Sequence, residues 1–209
     1  MQISIKTLSK RYKHEWIFRK LNLELEVGAK CAVTGQNGAG KSTFLQILSG
    51  FLSPTEGDIL YANAENQPIE REQVYTQTAL AAPYLGLLDE FSLEELIPFQ
   101  AKFKPFQAGI GYEQVVEVLE FSKLNTRKQL KYFSSGMRQR VKLALAILSD
   151  TSLLLLDEPT ITLDKKACEW FEHLLNQYTH PKRTLVVASN VEADFGLCTQ
   201  RLDILGYKT

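Results

Sequence analysis

The sequence predicts an α/β fold with a mainly parallel core sheet covered by helices and antiparallel strands at its amino-terminal end. Two short apolar runs, Lys30–Thr34 and Leu153–Leu156, are continuous in the manner of strands buried on both faces. Helical periodicities lie next to both runs, and an alternating apolar pattern precedes the first. Strands that alternate with helices are typical of a parallel sheet.

The first thirty residues are predicted to form half-buried antiparallel strands. Ile3 and Ile5 alternate with polar neighbours, and the same alternation returns at Leu21, Leu23, Leu25 and Val27. A period of two places the apolar side chains of a strand on one face. We therefore expect an N-terminal antiparallel β subdomain before the core sheet.

Residues 35–42 read Gly-Gln-Asn-Gly-Ala-Gly-Lys-Ser and lie between the first apolar run and a helical segment. This order matches the pattern G-x-x-x-x-G-K-[ST]. Its glycines let successive backbone N–H groups turn toward phosphate oxygens, and the positive end of the next helix points at the same place. Lys41 adds a point charge, and the Ser42 hydroxyl is suited to Mg²⁺. The flanking strand and helix disfavour a glycine-rich turn without a ligand, so the pattern predicts nucleoside triphosphate binding.

A helix is predicted after Lys41, because apolar residues recur at helical spacing at Phe44, Leu45, Leu48, Phe51 and Leu52. Residues 53–57 contain a proline and a glycine that are expected to end this helix, and residues 58–61 predict another strand. From about residue 91 to residue 122 the pattern is helical but interrupted by prolines and glycines. We interpret this stretch as a helical insertion into the α/β core.

The core resumes with a clean helical stripe, formed by Met137, Val141, Ala144, Leu145 and Leu148. After the second apolar run, a helix capped by Asp164 is expected to point five side chains inward: Cys168, Phe171, Leu174, Leu175 and Tyr178. Residues 184–188 and 202–205 predict two more strands. We therefore expect an α/β core with antiparallel strands over residues 1–84 and 137–209, and a helical subdomain over residues 85–136.

Composition limits the classes of function. Basic and acidic residues number 24 each, so the formal net charge of zero gives no reason to expect nucleic-acid binding. The three cysteines lack a C-x-x-C spacing, which fits reduced thiols in a cytosolic chain. No stretch approaches the ~20 apolar residues of a membrane span, and the first residues lack the apolar centre of a signal peptide. We therefore expect a cytosolic chain, and if it works at a membrane, another protein must cross that membrane.

Two carboxylates, Asp157 and Glu158, directly follow the second apolar run. In open α/β sheets, ligands lie beyond the carboxyl ends of the strands, where the phosphate loop also lies. An Asp there can hold Mg²⁺, and a neighbouring Glu can orient or deprotonate the water that attacks the γ-phosphate. For an isolated pair, a strand-ending acidic turn would be the favoured interpretation. Together with the phosphate loop, the pair favours a catalytic site.

Residues 133–140 read Phe-Ser-Ser-Gly-Met-Arg-Gln-Arg and lie between these two sites. Here the chain resembles the ATP-binding-cassette (ABC) ATPase family, whose signature is Leu-Ser-Gly-Gly-Gln followed by a Gln-Arg pair and a helix. Four residues match this signature region, namely Ser134, Gly136, Gln139 and Arg140, whereas Phe133, Ser135 and Met137 depart from it. The order of the motifs resembles the family over essentially the whole chain. The resemblance implies a P-loop NTPase (RecA-like) core within a single nucleotide-binding domain over residues 1–209.

The resemblance also implies the site residues and the assembly. Tyr12 matches the family's aromatic that stacks on adenine, with Trp16 as a nearby competitor and an ordinary strand aromatic as the alternative. Residues 161–164 resemble the D-loop, through which two subunits communicate. The signature of one subunit closes over the nucleotide of the other, which implies a homodimer on ATP binding. The implied nucleotide ligands are Tyr12, Gly35, Gln36, Asn37, Gly38, Ala39, Gly40, Lys41, Ser42, Thr43, Ser134 and Gly136.

Two positions depart from the family in ways that affect the chemistry. The family's switch histidine is replaced by Asn190, whose amide can donate a hydrogen bond but cannot carry a positive charge. We therefore expect slow hydrolysis with a catalytic set of Lys41, Glu158 and Asn190. The Mg²⁺-sensing glutamine falls near residues 82–83, which are Ala and Pro, so either Gln77 serves or this contact is absent. The expected metal ligands are then Ser42 and Asp157.

The leading hypothesis is the ATP-binding and ATP-hydrolysing subunit of a transporter. It would lie on the inner face of the cell membrane, bound to a separate transmembrane permease. The alternative is a soluble ABC-type clamp or assembly factor that is not tied to transport. An unrelated P-loop kinase or GTPase would not explain the signature. The transported substrate, its direction and the choice between homodimer and heterodimer stay open.

Overall fold

The computed structural model describes residues 1–208, and for Lys123 the backbone alone. Contacts within the chain divide it into two compact units. The first consists of Met1–Leu80, Ser152–Glu158 and the chain from His180 onward, and the second of Ala81–Thr151 and Pro159–Thr179. Among the described residues, no helix combines the length and the apolar character that crossing a membrane requires.

An antiparallel sheet opens the first unit, as the alternating pattern predicts. Its strands are β1 (Gln2–Tyr12), β2 (Glu15–Leu25), β4 (Glu56–Ala62) and β5 (Pro68–Ile69), in the spatial order β2-β1-β4-β5. Ile3 lies opposite Leu25 on one side and Tyr61 on the other, and all three side chains are buried. These three apolar side chains therefore share one covered face of the sheet.

A five-stranded sheet provides the core, in the order β6-β7-β8-β3-β9. Its strands are β3 (Lys30–Thr34), β6 (Thr78–Ala81), β7 (Leu153–Asp157), β8 (Thr184–Ala188) and β9 (Gln200–Asp203). β3 pairs in parallel with β8 and β9, and β7 pairs in parallel with β8. Every residue of β7 and β8 is buried. The predicted mainly parallel sheet is confirmed, and the carboxyl ends of β3, β7 and β8 meet at one edge.

Helix α1 (Lys41–Leu48) joins the core of the first unit, where Phe44 meets Phe18 edge to face at 6.1 Å. Burial of a side chain of this size contributes roughly 1.5–3 kcal/mol. The predicted continuation of this helix through Phe51 and Leu52 is wrong. The helix ends at Leu48, Gly50 takes φ +78°, and Phe51 is 82% exposed. A left-handed glycine just beyond a helix ends it at little steric cost.

The second unit contains the remaining helices: α2 (Leu93–Phe103), α3 (Tyr112–Leu119), α4 (Lys123–Thr126), α5 (Ser135–Leu148) and α6 (Lys165–Tyr178). The predicted cap of α6 is confirmed, because the Asp164 side chain accepts a hydrogen bond from the Ala167 N–H. α5 and α6 lie in the same compact unit as the helical insertion. The expected division at residues 84–85 and 136–137 stays a prediction.

Candidate active site

The phosphate loop joins β3 to α1 in a backbone form that needs glycine. Gly35, Gly38 and Gly40 take φ values of +143°, +77° and +104°. A Cβ on Gly40 would lie 2.5 Å from Cγ2 of Ile17, and one on Gly35 would lie 2.9 Å from Cγ2 of Ile204. Only glycine combines these torsion angles with so close an approach of other side chains. The loop therefore has the glycine-dependent turn that the phosphate-loop pattern predicts.

The three predicted catalytic residues are in contact, because Glu158 and Asn190 both bind the buried Lys41 ammonium. Its Nζ atom donates hydrogen bonds to the Gly35 carbonyl oxygen at 2.7 Å and to Oδ1 of Asn190 at 2.8 Å. It also forms an ion pair with Oε1 of Glu158 at 3.2 Å. A buried cation is stable only where such partners satisfy it. Residues from the ends of β7 and β8 thus converge on the loop after β3.

Asn190 also contacts the phosphate loop directly. Its Nδ2 donates a hydrogen bond to Oδ1 of Asn37, while its Oδ1 accepts from Lys41. Both halves of the amide are therefore used, one toward the Asn37 side chain and one toward the lysine. Asn190 therefore connects the end of β8 to the phosphate loop.

Asp157, at the carboxyl end of β7, is 1% exposed, and neither carboxylate oxygen has a hydrogen-bond partner of good geometry. Burial raises the pKa of this carboxyl group above its usual value and Glu158 raises it further, while a hydrogen bond with the Ser42 hydroxyl and the charge of Lys41 lower it in part. A buried carboxylate with so few hydrogen-bond partners fits a site for a cation. Within residues 1–208, no group of three or more His, Cys, Asp or Glu side chains could hold a metal by itself.

Glu158 has a strained backbone, with φ +44° in the left-handed region. Its N–H donates to the Ala188 carbonyl oxygen at 2.7 Å, which ties the residue to the end of β8. Such a conformation costs of order 1–3 kcal/mol for a residue other than glycine and is concentrated at functional sites. The residue in this conformation is the one whose carboxylate pairs with Lys41.

Tyr12 and Trp16, the two candidates for adenine stacking, differ in how their rings are used. The guanidinium groups of Arg19 and Arg11 lie over the Trp16 ring, at 4.4 Å and 5.0 Å from its centroid. The Tyr12 ring is 46% exposed, with Nζ of Lys10 at 5.0 Å. The arginines compete for the Trp16 ring, so Tyr12 is the more available stacking surface.

Gln77 lies away from these residues, at the opposite end of β7. Its Oε1 accepts a hydrogen bond from the Ser152 hydroxyl at 2.9 Å. Five residues of extended strand separate Ser152 from Asp157, or roughly 16 Å. Gln77 therefore does not contribute to this site, which favours the absence of the glutamine contact.

The signature residues lie in the second unit. The Ser134 hydroxyl caps α5 by accepting from the Met137 N–H at 3.2 Å, and a Cβ on Gly136 would lie 3.2 Å from the Thr162 carbonyl oxygen. Both residues line a cavity of about 390 Å³ together with Asp164. The signature and the segment resembling the D-loop therefore adjoin.

Phe133, which stands where the family signature has leucine, packs in an aromatic environment within the second unit. Phe133 is buried and meets Phe121 edge to face at 5.7 Å. The Arg140 guanidinium lies over the rings of Phe121 and Trp170 and donates to the Leu119 carbonyl oxygen at 2.6 Å. The larger Phe133 is thus supported by aromatic contacts within the unit.

Two contacts were not predicted from the sequence. Ser189 and Asp194, close to Glu158, are joined by a hydrogen bond of 2.5 Å. In the second unit, Nζ of Lys142 donates to the Ala82 carbonyl oxygen at 3.2 Å. The position of Ser189 directly before Asn190 is a signal that could have identified it, whereas no motif marks Asp194 or Lys142.

Comparison with known proteins places the chain in a family. The family model described as ABC transporter matches residues 18–161, which is more than half of the chain. The lipoprotein-releasing system ATP-binding protein LolD of Treponema denticola is 33% identical over 195 residues, covering 88% of this chain and 85% of LolD. The Nod factor export ATP-binding protein I of Cupriavidus metallidurans is 27% identical over 190 residues. That match covers 90% of this chain but 62% of the relative.

Solved structures support the fold. A putative ABC transporter ATP-binding protein from Pyrococcus furiosus matches with a TM-score of 0.82 at 21% identity, covering both chains completely. A bacterial ABC transporter cassette solved as a dimer matches with a TM-score of 0.80 at 23% identity, covering 97% of this chain and 95% of the other. The predicted P-loop NTPase fold is confirmed, and the kinase and GTPase interpretations are excluded. The chain belongs to the ABC transporter family, as an ATP-binding and ATP-hydrolysing subunit.

Proposed function

We propose that the chain binds ATP with Mg²⁺ at the phosphate loop and hydrolyses it slowly to power a separate permease. The observation that carries this proposal is the convergence of Glu158 and Asn190 on the buried Lys41. Glu158 and Asn190 follow the ends of β7 and β8, and Lys41 is the first residue of α1. Their contacts join the proposed phosphate contact, base and switch in one site.

Nucleotide binding would use the backbone N–H groups of residues 35–43 and the Lys41 ammonium. Lys41 is already desolvated and held by three oxygen atoms. Phosphate oxygens would replace some of these partners, so the lysine would keep a full set of acceptors. Tyr12 would stack on the adenine ring, since its face is more exposed than that of Trp16.

Asp157 and Ser42 would hold Mg²⁺ together with phosphate oxygens and water. The fit rests on the buried Asp157 carboxylate, whose oxygens lack other partners. Mg²⁺ would supply charge neutralisation and alignment of the phosphate oxygens. It retains several waters readily, so two protein ligands are enough without a glutamine contact.

Hydrolysis would depend on Glu158 as the general base that accepts a proton from the attacking water. Asn190 would donate one hydrogen bond from its amide to the γ-phosphate. A neutral amide stabilises the developing negative charge less than a positively charged imidazole does. We therefore expect slow ATP hydrolysis, with ATP binding retained.

The signature supports a homodimer that forms on ATP binding, with Ser134 and Gly136 directed at the γ-phosphate held by the partner. A cassette of the same fold was solved as a dimer with ADP and phosphate. The partner permease would hold the chain at the cytoplasmic face of the membrane. The curated relatives named for lipoprotein release and Nod factor export support a transport role of this kind.

Steady-state ATPase activity of the wild type and of Asn190→His tests the catalytic part of the proposal. We expect a slow wild type and a rate at least ~10-fold higher in Asn190→His, because the imidazole can carry charge. Equal rates, or a fast wild type, would contradict it. The partner is tested separately by purification from detergent-solubilised membranes. A stoichiometric multi-span protein is expected, and its consistent absence would favour the soluble clamp.

A further inference from the structure

Residues between β8 and β9 form a small polar network that contacts Glu158. Ser189 directly follows β8 and is 1% exposed, and Asp194 lies in the 3₁₀ helix Glu192–Phe195 and is 3% exposed. The Ser189 hydroxyl lies 2.5 Å from Oδ2 of Asp194 and 3.4 Å from Oε2 of Glu158. One buried hydroxyl group therefore stands between two carboxylates.

The hydroxyl group has a single hydrogen to donate. The Val191 N–H donates to the Ser189 oxygen at 3.0 Å, which occupies one of its lone pairs. A short contact to a carboxylate marks a strong, charge-assisted hydrogen bond, whereas 3.4 Å is at the limit of hydrogen bonding. The hydrogen of Ser189 thus goes to Asp194 and not to Glu158.

The two oxygens of Glu158 consequently differ. Oε1 faces the Lys41 ammonium at 3.2 Å. Oε2 has the Ser189 hydroxyl at 3.4 Å and the Asn190 N–H at 3.5 Å as donors, and both contacts are long. Oε2 is therefore the oxygen that can still accept a hydrogen bond from a new donor.

We propose that Asp194 is a positioning residue for ATP hydrolysis: it takes the Ser189 hydrogen and so leaves Oε2 of Glu158 free for the attacking water. The inference rests on the proposed function of Glu158. In that step the water gives a proton to Oε2 while its oxygen bonds to the γ-phosphorus. The bond from phosphorus to the β,γ-bridging oxygen breaks, and ADP leaves with those electrons.

Asp194→Asn tests this inference with little change of shape. A neutral amide accepts the Ser189 hydrogen more weakly and can turn its NH₂ group toward that oxygen, which releases the hydrogen to Glu158. We expect the rate constant of hydrolysis to fall about 10-fold while the dissociation constant for ATP stays within about twofold. Single-turnover hydrolysis and equilibrium ATP binding measure the two quantities.

The Ser189→Ala background separates positioning from general structural support. Without the hydroxyl there is no hydrogen to redirect, so adding Asp194→Asn should change the rate of Ser189→Ala by less than about twofold. Glu192→Gln, in the same short helix but exposed and paired with Arg201, is the matched control and should match the wild type. Thermal unfolding verifies that every variant is folded.

The possible outcomes distinguish the inference from the function on which it rests. An undiminished rate in Asp194→Asn, or an equal loss in the Ser189→Ala background, would overturn the role of Asp194 alone. Glu158→Gln is measured beside these variants. If Glu158→Gln hydrolyses ATP like the wild type, the proposed function of Glu158 fails, and the inference fails with it.

Discussion

At the residue scale, a buried carboxylate with few hydrogen-bond partners is expected to cost stability until a cation binds it. Asp157 is such a group. Replacing Asp157 by Asn removes the charge, so we expect the free energy of unfolding of the ligand-free protein to rise by ~1 kcal/mol. Thermal unfolding without nucleotide or metal measures this change.

The same variant is expected to lose function in the presence of metal. Mg²⁺ should tighten ATP binding to the wild type but affect Asp157→Asn about 10-fold less, because one ligand is missing. Asp150→Asn, at an exposed position, serves as the control and should behave like the wild type. A ligand-free Asp157→Asn protein that is less stable than the wild type would contradict this account of Asp157.

Cys198 provides a pH-dependent test of burial at the residue scale. Burial raises the pKa of its thiol to about 11 from the usual 9.0, although Arg201 and Lys30 lower it in part. Only the thiolate reacts, so at pH 8 alkylation should be roughly 100-fold slower than for an ordinary cysteine. The rate should still rise about tenfold per pH unit up to pH 9.5. Peptide mass spectrometry after iodoacetamide labelling measures it, and a rate that levels off near pH 9 would contradict the shift.

At the scale of elements, the phosphate loop allows a comparison of two glycines with similar torsion angles. Gly40→Ala would combine a positive φ with a contact of 2.5 Å to Ile17, so we expect a loss of stability of ~3 kcal/mol and weaker ATP binding. Gly38→Ala has a positive φ but nothing within 4 Å of the added carbon, and should lose ~1 kcal/mol. Chemical unfolding compares them, and equal losses would show that contact with Ile17 is not what restricts the loop.

The elements also show which local signals are reliable. The run Leu153–Leu156 and the Asp164 cap could be assigned because each depends on a few adjacent residues. The end of α1 was misplaced because Phe51 continues the apolar spacing, while the left-handed Gly50 decides where the helix stops. The sequence contains both an apolar spacing that continues the helix and a glycine that can end it. The packing of the folded chain decides between them, and that packing cannot be read from the local sequence.

At the scale of the whole molecule, the order of motifs along the chain predicted the fold and the family. It also predicted that Lys41, Glu158 and Asn190 belong to one site, because strand ends of a parallel sheet share an edge. The positioning of Glu158 by Ser189 and Asp194 could not be predicted. That network depends on Asp194, which lies in a short 3₁₀ helix and forms a hydrogen bond with Ser189. No contiguous sequence pattern marks this contact.

Binding of Mg²⁺ and ATP to wild type and Lys41→Ala, measured by isothermal titration calorimetry, tests the central claim most directly. The phosphate loop is expected to give one saturable ATP site per chain in the wild type and at least ~100-fold weaker binding in Lys41→Ala, because a buried charge-assisted contact is lost. Lys6→Ala, at an exposed position on β1, should bind ATP like the wild type. Equal ATP affinity in the wild type and Lys41→Ala would contradict the account.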